Sequence, residues 1–100
     1  MISNKTTVLI VDDDLIIREQ LDKELSRGYY SVETAHDGKS AVETLCNSNA
    51  RIILIDINLP DVNGIELLRQ LKETNPNCEL IVMTGFGNSD LDFTISSNRP

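Results

Sequence analysis

Thr7-Val8-Leu9-Ile10-Val11-Asp12-Asp13-Asp14 is the stretch that decides the fold. Its first five residues are β-branched or apolar without interruption, the pattern of a strand buried on both faces. A strand with one wet face would alternate apolar and polar residues instead. Both faces are buried when helices cover a parallel sheet. The apolar run stops in three carboxylates, so the carboxyl end of a buried strand carries concentrated negative charge.

Outward from that stretch, short apolar runs alternate with amphipathic ones. Residues 15–27 set Leu15, Ile17, Leu21 and Leu25 along one stripe, a helix that Gly28 stops. Residues 30–35 alternate and read as a second strand. Residues 39–47 place Ala41, Val42 and Leu45 on one helical face. IILI at 52–55 reads as a third, buried strand. Residues 65–74 carry Ile65, Leu68 and Leu71 on a third helix that ends before Pro76. LIVM at 80–83 is a fourth strand. Residues 89–98 read as a weakly amphipathic helix, with Leu91 and Ile95 four apart among Ser, Thr and Asn. The order β-α-β-α-β-α-β-(α) calls for right-handed crossovers and a parallel sheet covered on both faces. In such sheets ligands bind beyond the carboxyl ends of the strands, at the switch point.

A chain of 100 residues suits one small domain and has no room for two. Its hydrophobic fraction of 40% is enough for a packed core. The net charge of −7 works against nonspecific contact with nucleic acid or anionic lipid, so neither nucleic acid nor membrane is an expected partner. Cys46 and Cys78 are far apart, with no Cys or His beside them. They read as ordinary thiols of a reducing compartment. The apolar run at 8–11 is too short for a signal-peptide core or a membrane span, which makes the cytoplasm the expected location. His36, the one histidine, reads as a solvated residue after the second strand.

Asp12, Asp13 and Asp14 directly follow the first strand, Asp56 the third, and Thr84 the fourth. All three segments end at one edge of a parallel sheet, so the carboxylates converge in space. Two carboxylates about 4 Å apart repel by roughly 4 kcal/mol at an effective dielectric near 20. Either one is protonated or a cation sits between them. Oxygen ligands without His or Cys select a hard cation such as Mg²⁺, which keeps places open for water and phosphate oxygens. A carboxylate beside such a metal can attack a phosphoryl group. Taken singly, each residue has a plainer role. Asp14 suits a helix cap, Asp56 a cap or Asx-turn, and Thr84 a turn before Gly85. The shared sheet edge is what favours the metal.

At this point the residues resemble the receiver domain of two-component response regulators. The matching motifs are VLIVDDD at 8–14, LIDINLPDVNG at 54–64 and VMTGFG at 82–87. The resemblance implies a flavodoxin-like, doubly wound parallel α/β sheet of strand order 2-1-3-4. It implies Asp56 as phosphoacceptor and Mg²⁺ as cofactor. Asp13 would bind the metal directly and Asp12 through water, with Asp56 and the backbone carbonyl of Asn58 completing the protein ligands. Thr84 would be the switch hydroxyl that bonds the phosphoryl oxygen. Pro60 and Gly64 would shape the adjoining loop. The phosphodonor would be the phosphohistidine of a sensor histidine kinase, or a small acyl phosphate. Such a domain is a signalling module, not an enzyme acting on a metabolite.

One departure from the family stands out. Its lysine, placed after a fifth strand and commonly followed by proline, has no counterpart here. Arg99-Pro100 lies only 15 residues after Thr84, and no apolar strand precedes it. Residues 1–100 are therefore expected to form one receiver-like domain truncated after its fourth helix, without the fifth strand and last helix. That would leave Val82 on an unpaired sheet edge and one flank uncovered. Self-association follows as an expectation, with the C-terminal segment exchanged about a hinge at Gly85, Gly87 and Asn88. An alternative reading is a receiver remnant that dimerises or binds Mg²⁺ without effective phosphosignalling. An aspartate-nucleophile phosphatase fits less well, because the place of its second Asp is taken by Asn58, which is no general acid.

Overall fold

A computed structural model describes residues 5–56 and 59–83 and, for the backbone alone, residues 93–96. The elements run β1 (Thr6–Val11), α1 (Leu15–Ser26), β2 (Tyr30–Ala35), α2 (Gly38–Cys46), β3 (Ile52–Asp56), α3 (Gly64–Thr74), β4 (Glu79–Met83) and β5 (Phe93–Ser96). The first four strands are parallel, in the order β2-β1-β3-β4, and β5 continues the sheet beyond β4. The flavodoxin-like arrangement read from the sequence is thus present. No helix among the described residues is long and apolar enough to cross a membrane.

Crossover handedness explains which helix covers which face. The chain steps from β1 outward to β2, then back past β1 to β3 and on to β4. Right-handed crossovers put α1 on one face for the first step and α2 and α3 on the other for the return steps. Strand alternation then sorts the side chains. Leu9 and Val11 of β1, Ile53 and Ile55 of β3, and Leu80 and Val82 of β4 join Ala41 and Leu45 of α2 and Leu67 and Leu71 of α3 in one buried cluster. Burying each such Leu, Ile or Val contributes about 1.5–3 kcal/mol of apolar transfer, which makes this face the main source of stability.

Capping fixes where the helices begin. Asp14 accepts from the Ile16 and Ile17 amides at the start of α1, as the sequence suggested for it. Asp37 caps α2 in a reciprocal capping box with Ser40. Asn63 does the same work for α3 by accepting from the Ile65 and Glu66 amides.

The C-terminal expectations need correction. Within the span 89–98 read as a helix, Phe93–Ser96 is a strand antiparallel to β4, with Met83 opposite Phe93 and Val82 opposite Thr94. Val82 therefore does not lie on an unpaired edge, and it is 5% exposed. The physical reason is the edge itself. The free N–H and C=O groups of β4 are a template for any extended segment, and Phe-Thr-Ile-Ser has high strand propensity. This strand is not the family's parallel fifth strand. The proposed hinge residues Gly85, Gly87 and Asn88, and the pair Arg99-Pro100, lie outside the described residues.

Candidate metal centre

The site begins with the end of β1. The Asp12 amide donates to the carbonyl of Ala35 at the end of β2, 3.1 Å away. Arg18 reaches back from α1 to donate to the Asp12 carbonyl at 2.8 Å. One carboxylate oxygen of Asp12 accepts from the Asp14 amide at 2.9 Å. These bonds hold Asp12 at 3% exposure, the one buried charged residue among the described residues. Asp56 ends β3, the neighbour of β1 on its other side, so the switch point between β1 and β3 brings it alongside.

Asp12, Asp13 and Asp56 form a group whose carboxylate oxygens lie within 4.8 Å of one another. Asp12 is buried, Asp56 half-buried and Asp13 exposed. The Asp12 carboxyl titrates above its ordinary value. Burial is the main cause, the Asp14 amide opposes it, and the charges of Asp56, Asp13 and Asp14 add to it. A buried carboxyl hemmed in by like charges is the environment a cation relieves. The donor set is oxygen throughout, so the residues present fit a hard divalent ion such as Mg²⁺.

Three of the five sequence-derived site residues thus meet. Asp12 and Asp13 come from the β1–α1 turn and Asp56 from β3. Asn58 and Thr84 lie outside the described residues. Asp14 serves as the cap of α1. His36 is exposed and stands 3.5 Å from the Asp37 carboxylate. Both cysteines are free, Cys46 exposed and Cys78 buried.

Two nearby residues escaped sequence reading. Arg18, the basic residue that donates to the Asp12 carbonyl, lies off the apolar stripe of α1 and carried no local signal. Asp61, in the loop after β3, accepts from the Gly38 and Lys39 amides of α2 at 3.0 and 3.2 Å. Its partners lie more than 20 residues away, so no local pattern marks it; only its place after Pro60 in a turn is visible.

Comparison with known proteins agrees with this geometry. The response regulator receiver domain family matches residues 8–96, and the chain belongs to that family. Over 77 residues it is 38% identical to the response regulator MprA of Mycobacterium avium, a match covering 77% of this chain and 34% of that protein. The chain thus spans about a third of the length of this curated relative. A response regulator protein of Burkholderia pseudomallei, solved with a phosphorylated aspartic acid, calcium ion and citrate, superposes with a TM-score of 0.77 at 25% identity, over 83% of this chain and 49% of that one. The response regulator protein TrrA of Thermotoga maritima, in complex with Mg²⁺-BeF, superposes with a TM-score of 0.74 at 28% identity, over 82% of this chain and 71% of that one.

Proposed function

We propose that this receiver domain takes a phosphoryl group onto Asp56 from a sensor histidine kinase, in a Mg²⁺-dependent step of a phosphorelay. The observation that carries the reading is the meeting of Asp12, Asp13 and Asp56 at the β1–β3 switch point. The similar structures solved with a phosphorylated aspartic acid and with Mg²⁺-BeF support the same chemistry for a chain of this fold.

The chain's own residues divide the work. Asp13, which is exposed, would bind the ion directly, and Asp12 would act on it through water. The Asn58 carbonyl would complete the protein ligands. A cation held there would supply charge neutralisation for the incoming phosphoryl oxygens. Asp56 is the nucleophile: its carboxylate oxygen forms the new bond to phosphorus as the bond to the donor nitrogen or acyl oxygen breaks. Thr84 then bonds the phosphoryl oxygen and conveys the change. The module works in the cytoplasm as a relay, not as an enzyme on a metabolite, and residues 1–100 act as one domain.

The test is phosphoryl uptake from acetyl phosphate, read by intact mass. The wild type should gain one phosphoryl group only with Mg²⁺ present, and Asp56→Asn should gain none. Uptake that survives Asp56→Asn would sink the assignment. Light scattering over a wide concentration range addresses self-association. The pairing of β4 with β5 removes the open β4 edge that motivated it, and a clean monomer throughout would count against it.

A further inference from the structure

We infer that Asp61 is a positioning residue for the metal site, acting through α2 and not through the ion. The inference rests on the reading of the site given above and adds to it a residue that controls it from outside.

Residues 59–63 follow Asn58 in the chain and lead into α3 as a loop. Four anchors hold it. Leu59 is 6% exposed within the main core cluster. Val62 packs against that cluster and against Gly38. Asn63 caps α3. Asp61 ties the loop to α2, where its two oxygens accept separately from the Gly38 and Lys39 amides.

Those amides are the first donors of α2, and a helix leaves such donors without intrahelical partners. The Ser40 amide is taken by Asp37, and the Ala41 amide by the Asp37 carbonyl. Asp61 therefore completes the helix start from another part of the chain, with charge-assisted bonds at the positive end of the helix dipole. Although it lies five residues from Asp56, Asp61 is not in the metal-competent group, which comprises Asp12, Asp13 and Asp56. Both its oxygens already serve α2. Its role is thus mechanical: it holds the loop closed on α2.

Gly38 makes the same clamp from the other side. A Cβ there would meet the Val62 methyl carbons at 2.6 and 2.8 Å. Valine is stiff about its first side-chain torsion, so the loop itself must move to make room. Loosening either half gives the loop freedom that metal binding must then remove, which weakens the ion's hold.

The test measures Mg²⁺ affinity by titration calorimetry on the whole chain, and phosphoryl uptake from acetyl phosphate at low and saturating Mg²⁺. Asp61→Ala should raise the half-saturating Mg²⁺ concentration by roughly tenfold, the scale for outer partners of a metal site. Uptake should be restored at saturating Mg²⁺, because Asp56 is intact. Asp61→Asn keeps an accepting oxygen and should recover part of the affinity. Gly38→Ala leaves the charge unchanged and should reproduce the Asp61→Ala effect, which separates clamping from lost negative charge. If Asp61→Ala unfolds the chain, Asp61→Asn and Gly38→Ala carry the test. Mg²⁺ affinities within twofold of wild type in the folded variants would overturn the inference while leaving the proposed function standing. A wild type that binds no Mg²⁺ overturns both.

Discussion

Beneath α2 and α3 the residues Leu9, Val11, Ile53, Ile55, Leu80 and Val82 are all buried, whereas on the face that α1 shares Val8 and Ile10 of β1 are buried but Ile52, Leu54, Ile81 and Met83 are half-buried. The helices differ in the same way. α3 buries Leu67 and Leu71, and α1 buries no residue, with Leu15 and Ile16 largely exposed. The contrast bears on the site because its two walls come from different sides. Asp56 leads into a loop pinned to the well-packed face through Leu59, Asp61 and Val62. Asp12 and Asp13 lead into α1, which rests on the thinner one. One wall of the candidate metal centre is therefore firm, and the other depends on capping by Asp14 and on Arg18.

The largest expected effect lies on the firm face. Leu67→Ala should cost about 2–5 kcal/mol in urea unfolding, because it leaves a cavity between α3 and the sheet. Leu54→Ala, on the half-buried face, should cost roughly 1–2 kcal/mol. Equal losses at the two positions would break the comparison.

The ion should sharpen it. Amides of α1 should gain more protection from hydrogen exchange on adding Mg²⁺ than those of α3, since local opening is easier where packing is thin. Uniform protection along the chain would mean that the two walls are equally firm.

A smaller shift, a few degrees in Tm, is expected from Asp12→Asn without metal. The sign follows from the raised carboxyl. Its folded form holds a proton more tightly than the unfolded chain does, so its contribution to stability is full below the ordinary pKa of 3.8 and is lost as pH rises through the raised value. At neutral pH the charged group therefore destabilises the metal-free chain. The Asn variant should melt higher there, lack this loss, and gain little from Mg²⁺. Asp37 works in the opposite sense. Its hydrogen bonds with Ser40 hold its carboxyl below 3.8, so its contribution is present above that value and lost as pH falls through the lowered one. The smallest effect should be that of Ile16→Ala on α1, within about 0.5 kcal/mol of wild type.

How much of this was legible in the sequence depends on the range of the forces. TVLIV, IILI and LIVM gave strands because an unbroken apolar run leaves no alternation to misread. The order of elements gave the sheet, and the sheet gave the meeting of Asp12, Asp13 and Asp56, since parallel strands end together. β5 was not legible. Phe93–Ser96 is flanked by Ser, Thr and Asn, and only the template of a β4 edge decides that it extends. Asp61 was not legible either, because a carboxylate after Pro60 looks the same whether it faces water or caps a helix over 20 residues away. Of the unread features, Asp61 and Arg18 bear on the site, and β5 does not.

The central claim is that Asp56 accepts a phosphoryl group with help from a cation held by Asp12 and Asp13. Its most direct measurement is peptide mass mapping after incubation with acetyl phosphate, with and without Mg²⁺. The account predicts one phosphoryl group, located at Asp56, dependent on Mg²⁺ and much reduced in Asp13→Asn. Phosphoryl uptake at another residue, or uptake at Asp56 that is indifferent to Mg²⁺, would contradict it.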